Sequence, residues 1–109
     1  MIFSTSDSHS FAVIDGELYG SGDNKYEQLS LDNVDKVNIF TKVDYLFDNS
    51  GIKSIKCIRD FTLVLTNDGN VYACGDKFDL YCEKFKKIKN MKNIKMIDGC
   101  EMFCVAICD

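Results

Sequence analysis

A chain of 109 residues with 46% hydrophobic and 28% charged side chains has the make-up of one globular domain rather than of a disordered segment. Its net charge of −4 excludes a broadly basic surface for nucleic acid or anionic lipid. No apolar run approaches the roughly 18 residues of a membrane-spanning helix, and MIFSTSDSHS lacks the basic region and long apolar core of a secretory leader, so a cytoplasmic or nuclear setting is expected.

In chain order, Ile2-Phe3-Ser4-Thr5 opens a first unit. His9, the single histidine, would need an orienting carboxylate to act as a base, and Asp7 is the nearest; a buried ring with one satisfied hydrogen bond is the favoured reading. Ser10–Ile14 and Glu17–Gly20 alternate apolar and polar residues about Asp15-Gly16, which predicts a β-hairpin, because tight hairpin turns need the positive φ that glycine adopts without penalty. Gly22 is expected where the inner hairpin ends and a long excursion begins. That excursion, Asp23–Leu31, is the first candidate partner-binding loop, with Asp23, Asn24, Lys25, Tyr26 and Gln28 as its contact residues. Gly16, Gly20 and Gly22 crowd together, but no helix and no Lys-Ser/Thr follows them, so a nucleotide-binding loop is rejected.

The pattern then recurs. Asp15-Gly16 falls on Asp68-Gly69, Leu18-Tyr19 on Val71-Tyr72, Gly22 on Gly75 and HSFAVI on FTLVLT, so Thr62–Thr66 and Asn70–Cys74 form a second hairpin. Both alternate sets are apolar, with Phe61, Leu63 and Leu65 on one face and Thr62 and Val64 on the other, as in a strand covered on both sides. Gly75 again marks the exit into an excursion, Asp76–Glu83, whose Asp76, Lys77, Phe78 and Asp79 form the second candidate loop. The lysine stripe from Lys84 to Lys95 could track phosphates, with Phe85 stacking on a base. A strand-loop-strand excursion with Phe85, Ile88, Met91 and Ile94 inward and the lysines solvated is preferred. NIKMIDGCEMFCVAI begins a third copy, placing Phe103 on Phe61. Cys100, Cys104 and Cys108 share a strand face but span too far to converge on one metal, so no metal site is expected and the six cysteines read as buried thiols. The chain thus divides into units of about 1–50 and 51–92 and an incomplete 93–109.

HSFAVIDGELYGSGDN followed by Gln28-Leu29, IKCIRDFTLVLTNDGNVYACGD and IKMIDGCEMFCVAI together resemble the regulator of chromosome condensation repeat family. The resemblance implies an all-β fold of tandem antiparallel blade-like sheets, a partial β-propeller. The family's ring has seven blades, which two and a half units cannot close. Three arrangements stay open: part of a longer protein, open ends covered by self-association or a partner, or a compact packing that is not a propeller. Departures include Phe61 and Phe103 at the family's histidine and Asp79-Leu80-Tyr81-Cys82 at its Gly-Gln-Leu-Gly loop. The expected function is a non-catalytic protein-interaction module with an unidentified protein partner and no cofactor. The family's namesake activity, guanine-nucleotide exchange on a small Ran-type GTPase, is a second reading, and nucleic-acid or chromatin binding through the lysine stripe a third.

Overall fold

The computed structural model describes the backbone of residues 2–45, 47–77, 80–100 and 103–108, and the side chains of 2–45, 47–75 and 84–98. The described residues fold as strands alone: β1 (Ile2–Thr5), β2 (His9–Ile14), β3 (Glu17–Asp23), β4 (Lys36–Lys42), β5 (Ile52–Ile58), β6 (Phe61–Thr66), β7 (Val71–Lys77), β8 (Leu80–Lys87), β9 (Ile94–Cys100) and β10 (Phe103–Cys108). They make two four-stranded antiparallel meanders, β1-β2-β3-β4 and β5-β6-β7-β8, and a β9-β10 hairpin. The fold is therefore all-β, as tandem blade-like antiparallel sheets.

The two Asp-Gly hairpins close differently. Asp15 and Gly16 both take positive φ, 51° and 79°, and Ile14 pairs directly with Glu17, which gives the two-residue turn whose twist matches its strands. In the second hairpin Gly69 N donates to Thr66 O at 3.0 Å and Thr66 N to Asn70 O at 2.9 Å, with Gly69 at φ 86°. One more residue is accommodated there as a bulge, which accounts for the single gap needed to align the two copies.

Gly22 and Gly75 do not sit at strand exits. They lie within β3 and β7, opposite His9 and Phe61, at φ 112° and 105°. Each coincides with a register shift toward the outer strand, between Gly20 and Gly22 and between Ala73 and Gly75. The glycine bends the strand there without ending it. The second excursion is corrected as well: Asp76 and Lys77 belong to β7 and Leu80 already starts β8, so no long loop intervenes, while Phe78 and Asp79 lie outside the described residues.

Two apolar layers hold the sheets face to face. Phe11, Leu18, Leu29 and Val43 of the first unit meet Ile55, Cys57, Val64, Tyr72, Cys74 and Phe85 of the second. On the other side of the second sheet, Phe61, Leu63, Leu65, Val71 and Ala73 meet Ile97 of β9, with Ile88, Met91 and Ile94 at the margin. Every residue of β6 is buried, because a sheet lies on each of its faces. β2 alternates less cleanly and leaves Ile14 44% exposed, because only one of its faces is covered.

Candidate functional site at the seam between the first two sheets

The residues that join one sheet to the next are the chemically distinctive part of the molecule. Asn24 organises the loop after β3: its amide donates to Leu31 O at 2.9 Å and Val34 O at 2.8 Å, and its carbonyl accepts from Leu29 N at 2.9 Å. These bonds force Gln28, Leu29 and Ser30 into the seam. Leu29 is fully buried and packs over Gly20, where a Cβ would stand 3.0 Å from Leu29 Cδ2 and from a Phe11 ring carbon. The Gln28 carbonyl accepts from Thr62 Oγ1 at 2.7 Å and from Cys74 Sγ at 3.2 Å, while Ser30 Oγ accepts from Phe85 N at 3.0 Å. Gln28 Oε1 accepts from Tyr26 N at 2.9 Å, and its amide donates to Asp60 Oδ1 at 3.3 Å. The loop expected to be an exposed partner surface is thus largely an internal clamp: Asn24 and Gln28 are buried, Asp23 caps Lys25 N, and only Lys25 and Tyr26 face solvent.

His9 sits beside this clamp, 2% exposed, with Nε2 2.6 Å from Thr62 Oγ1. The Thr62 proton is committed to the Gln28 carbonyl, so Nε2–H donates and Nδ1 accepts from Ser6 or Ser8, whose hydroxyls lie 3.1 and 3.0 Å away. The serine left over donates to the Arg59 carbonyl. His9 therefore engages both nitrogens, where the sequence pointed to one, and a hydrogen-bonded row runs from β2 through the ring into the second sheet. Burial pushes its pKa down to about 4. Further along the seam Cys57 N donates to Ser4 Oγ at 3.0 Å, and burial pushes the Cys57 thiol up to about 12, a packing group and not a nucleophile at neutral pH. Cys74 is likewise buried; the side chains of Cys82, Cys100, Cys104 and Cys108 lie outside the described residues.

A second polar knot, missed in the sequence, ties the linker after β4 to the second hairpin. Asp48 accepts from Thr66 Oγ1 at 2.6 Å, Asn70 Nδ2 at 2.8 Å, Ser50 N at 3.0 Å and the Ser50 hydroxyl. Burial alone would raise its pKa, yet these four donors hold the carboxylate well below its ordinary range. Beside it the Tyr45 and Phe47 rings meet at a 58° tilt with centroids 4.7 Å apart, and contact Tyr72 and Phe85. The one sequence signal for it is the aromatic spacing in Asp44–Phe47, which no hairpin pattern frames.

The lysine stripe runs along β8, a turn and the start of β9. Lys84 bridges Asp32 at 2.9 Å, Phe85 is buried, and Lys86, Lys87, Lys89, Lys92 and Lys95 stand exposed. Ile88, Met91 and Ile94 pack inward.

Comparison with known proteins agrees with this geometry. The regulator of chromosome condensation (RCC1) repeat model matches residues 52–77, the span of β5 to β7. The chain is 40% identical over 68 residues to the secretion-regulating guanine nucleotide exchange factor of Bos taurus, and 34% identical over 70 residues to the Rho GTPase-activating protein gacGG of Dictyostelium discoideum. Each match covers 62% of this chain but only 14% and 6% of those proteins. Among solved structures it superposes on Prp20p of Saccharomyces cerevisiae, a protein with binding properties to Gsp1p and histones. That superposition has TM-score 0.80 and 21% identity, and covers 97% of this chain and 30% of Prp20p. Human WBSCR16 superposes with TM-score 0.70 and 20% identity over 89% of this chain and 29% of that one. The chain accordingly has the fold of a partial β-propeller, a run of blade-like antiparallel sheets, and residues 52–77 of its second sheet match the regulator of chromosome condensation (RCC1) repeat.

Proposed function

We propose that the chain is a non-catalytic protein-interaction module that works by sheet-to-sheet docking, its open first sheet receiving the face of another repeat unit. One observation carries this reading. Phe3, Ala12, Tyr19 and Lys42 lie in register across the first sheet, as Ile55, Val64, Tyr72 and Lys87 do across the second. Phe40, two residues before Lys42, corresponds to Phe85, two before Lys87. In the second sheet this row is covered, and Ile55, Val64, Tyr72 and Phe85 are 7%, 0%, 7% and 3% exposed. In the first sheet the matching Phe3 and Phe40 are 56% and 45% exposed. The same surface is left without the sheet that its twin possesses, and large apolar side chains at such a surface favour association. With no other repeat unit supplied, copies of the chain are expected to associate: light scattering should give a mass that rises with concentration. Phe40→Glu, at a solvent-facing position, should return the monomer mass without loss of cooperative unfolding. A wild-type chain that stays monomeric through the micromolar range would defeat the reading.

Similarity to proteins that act with small GTPases supports a second reading, contact with a GTPase of that kind. One relative is named as a guanine nucleotide exchange factor, another as a Rho GTPase-activating protein, and Prp20p has binding properties to Gsp1p. Because the chain spans 14% of that exchange factor's length, contact without full exchange activity is the expected result. A panel of small GTPases loaded with fluorescent nucleotide would then show binding by anisotropy and little change in release rate. Absence of both for Ran- and Rho-type members would dismiss this reading.

A further inference from the structure

We propose that the cavity beside the Asp48 knot is a receptor for one cationic side chain, a lysine or arginine of a basic polypeptide segment. The cavity has a volume of about 250 Å³ and opens between the first hairpin turn and the linker after β4. Its lining includes the aromatic residues Tyr45 and Phe47, the apolar Leu18, Val43 and Ile52, and two acidic residues, Glu17 and Asp48. The lining includes neither Phe3 nor Phe40, and the test reads ring signals instead of mass, so this proposal and the self-association reading fail separately.

Size and charge both select the ligand. Cofactor and drug-sized sites begin at roughly 300 Å³, so this space suits a single long side chain and not a nucleotide. Asp48 remains ionised because Thr66, Asn70 and Ser50 all donate to it, and those donors are spent on Asp48 instead of facing the cavity. The charged residues of the lining are both acidic, which disfavours an anion and favours a cation that also gains from the two aromatic residues. Lys42, 3.2 Å from Glu17 and about half exposed, is the resident cation at the rim; it also approaches Asp44 at 3.9 Å. An exposed pair of this kind is worth little in water, so an incoming guanidinium displaces it cheaply. The apolar part of the lining accepts the methylene stem of the guest, as long basic side chains bury their stems and keep their charged heads near acid.

The test uses the whole chain and the probe Nα-acetyl-arginine amide, with its neutral isostere Nα-acetyl-citrulline amide as control. Ring proton signals of Tyr45 and Phe47 should shift saturably with the arginine probe in the millimolar range. The citrulline probe should leave them unmoved. Glu17→Gln and Asp48→Asn should each weaken binding, the first by about twofold to fivefold, the size of factor a single exposed charge contributes. Asp48 also ties the second hairpin, and Asp48→Asn is at risk of unfolding; Glu17→Gln, on an exposed side chain, carries the test if it does. Tyr45→Leu, which keeps the apolar lining but removes the π-face, should weaken binding as well. Equal shifts from both probes, no shifts at all, or unaltered affinity in Glu17→Gln and Tyr45→Leu would each overturn the proposal.

Discussion

Gly75→Ala is expected to destabilise the protein by roughly 3–5 kcal/mol, the largest effect among alanine substitutions of the described glycines. Two costs combine. The backbone at Gly75 has φ 105°, a region that residues with a Cβ enter only under strain. The new methyl would also collide with the Asp60 carbonyl oxygen and stand 2.9 Å from Phe61 Cα, both backbone atoms that cannot swing aside. Relief requires parting β6 from β7, the two strands at the centre of the molecule. Gly22→Ala repeats the problem in the first sheet, with Ser8 O at 2.6 Å and His9 Cα at 2.8 Å. Gly16→Ala is the internal control: its φ is 79° but nothing lies within 4 Å of the added carbon, so only the conformational term of about 1 kcal/mol remains. Urea unfolding of the three variants separates these cases, and a Gly75→Ala chain no less stable than Gly16→Ala would refute the close-approach argument.

The hairpins are legible in the sequence because their determinants are local. Asp-Gly between alternating apolar strands fixes turn, pairing and register within a dozen residues, and FTLVLT, apolar on both faces, already requires a sheet on each side. Equal spacing of Asp-Gly, Tyr and Gly extends this from one hairpin to a stack of like sheets. β4 is invisible for the opposite reason. KVNIFTK lies on an open sheet edge, where no second neighbour imposes alternation, so Ile39 and Phe40 are exposed while Val37 packs against the core, and its pattern is weak. The loops mislead because polar composition suggests solvent. Asn24 and Gln28 are polar because a buried loop must satisfy its own backbone groups, and their partners, Leu31 O, Val34 O and Tyr26 N, become apparent only when the chain is folded. Asp48 is the same lesson across a longer gap, since Thr66 and Asn70 lie in the next unit.

The role of His9 joins local sequence to assembly, and it sets the second large effect. Its counterparts, Phe61 and Phe103, keep the ring and drop the nitrogens, so a ring is what each unit requires at this position. The first unit's ring faces a threonine hydroxyl already donating to the clamp carbonyl. The neutral imidazole is held there with a pKa of about 4, against 6.5 when unfolded, because burial outweighs the opposing pull of the Arg59 and Phe61 backbone groups and of Asp23 and Asp7. Between those values the unfolded chain binds the extra proton, so stability is complete above about pH 6.5 and is lost as pH falls toward 4. The full loss is about 3 kcal/mol, most of it incurred by about pH 5. The Asp48 pKa is lowered too, but its contribution is lost only as pH falls below its unfolded value of 3.8, outside this window. Urea midpoints at neutral pH and near pH 5 should therefore fall sharply for the native chain. In His9→Phe, which installs the ring the other two units use, the fall should be mostly abolished, at the cost of a lower stability at neutral pH from the lost Thr62 bond. An equal loss between the two pH values in both proteins would mean that His9 is not the group that titrates.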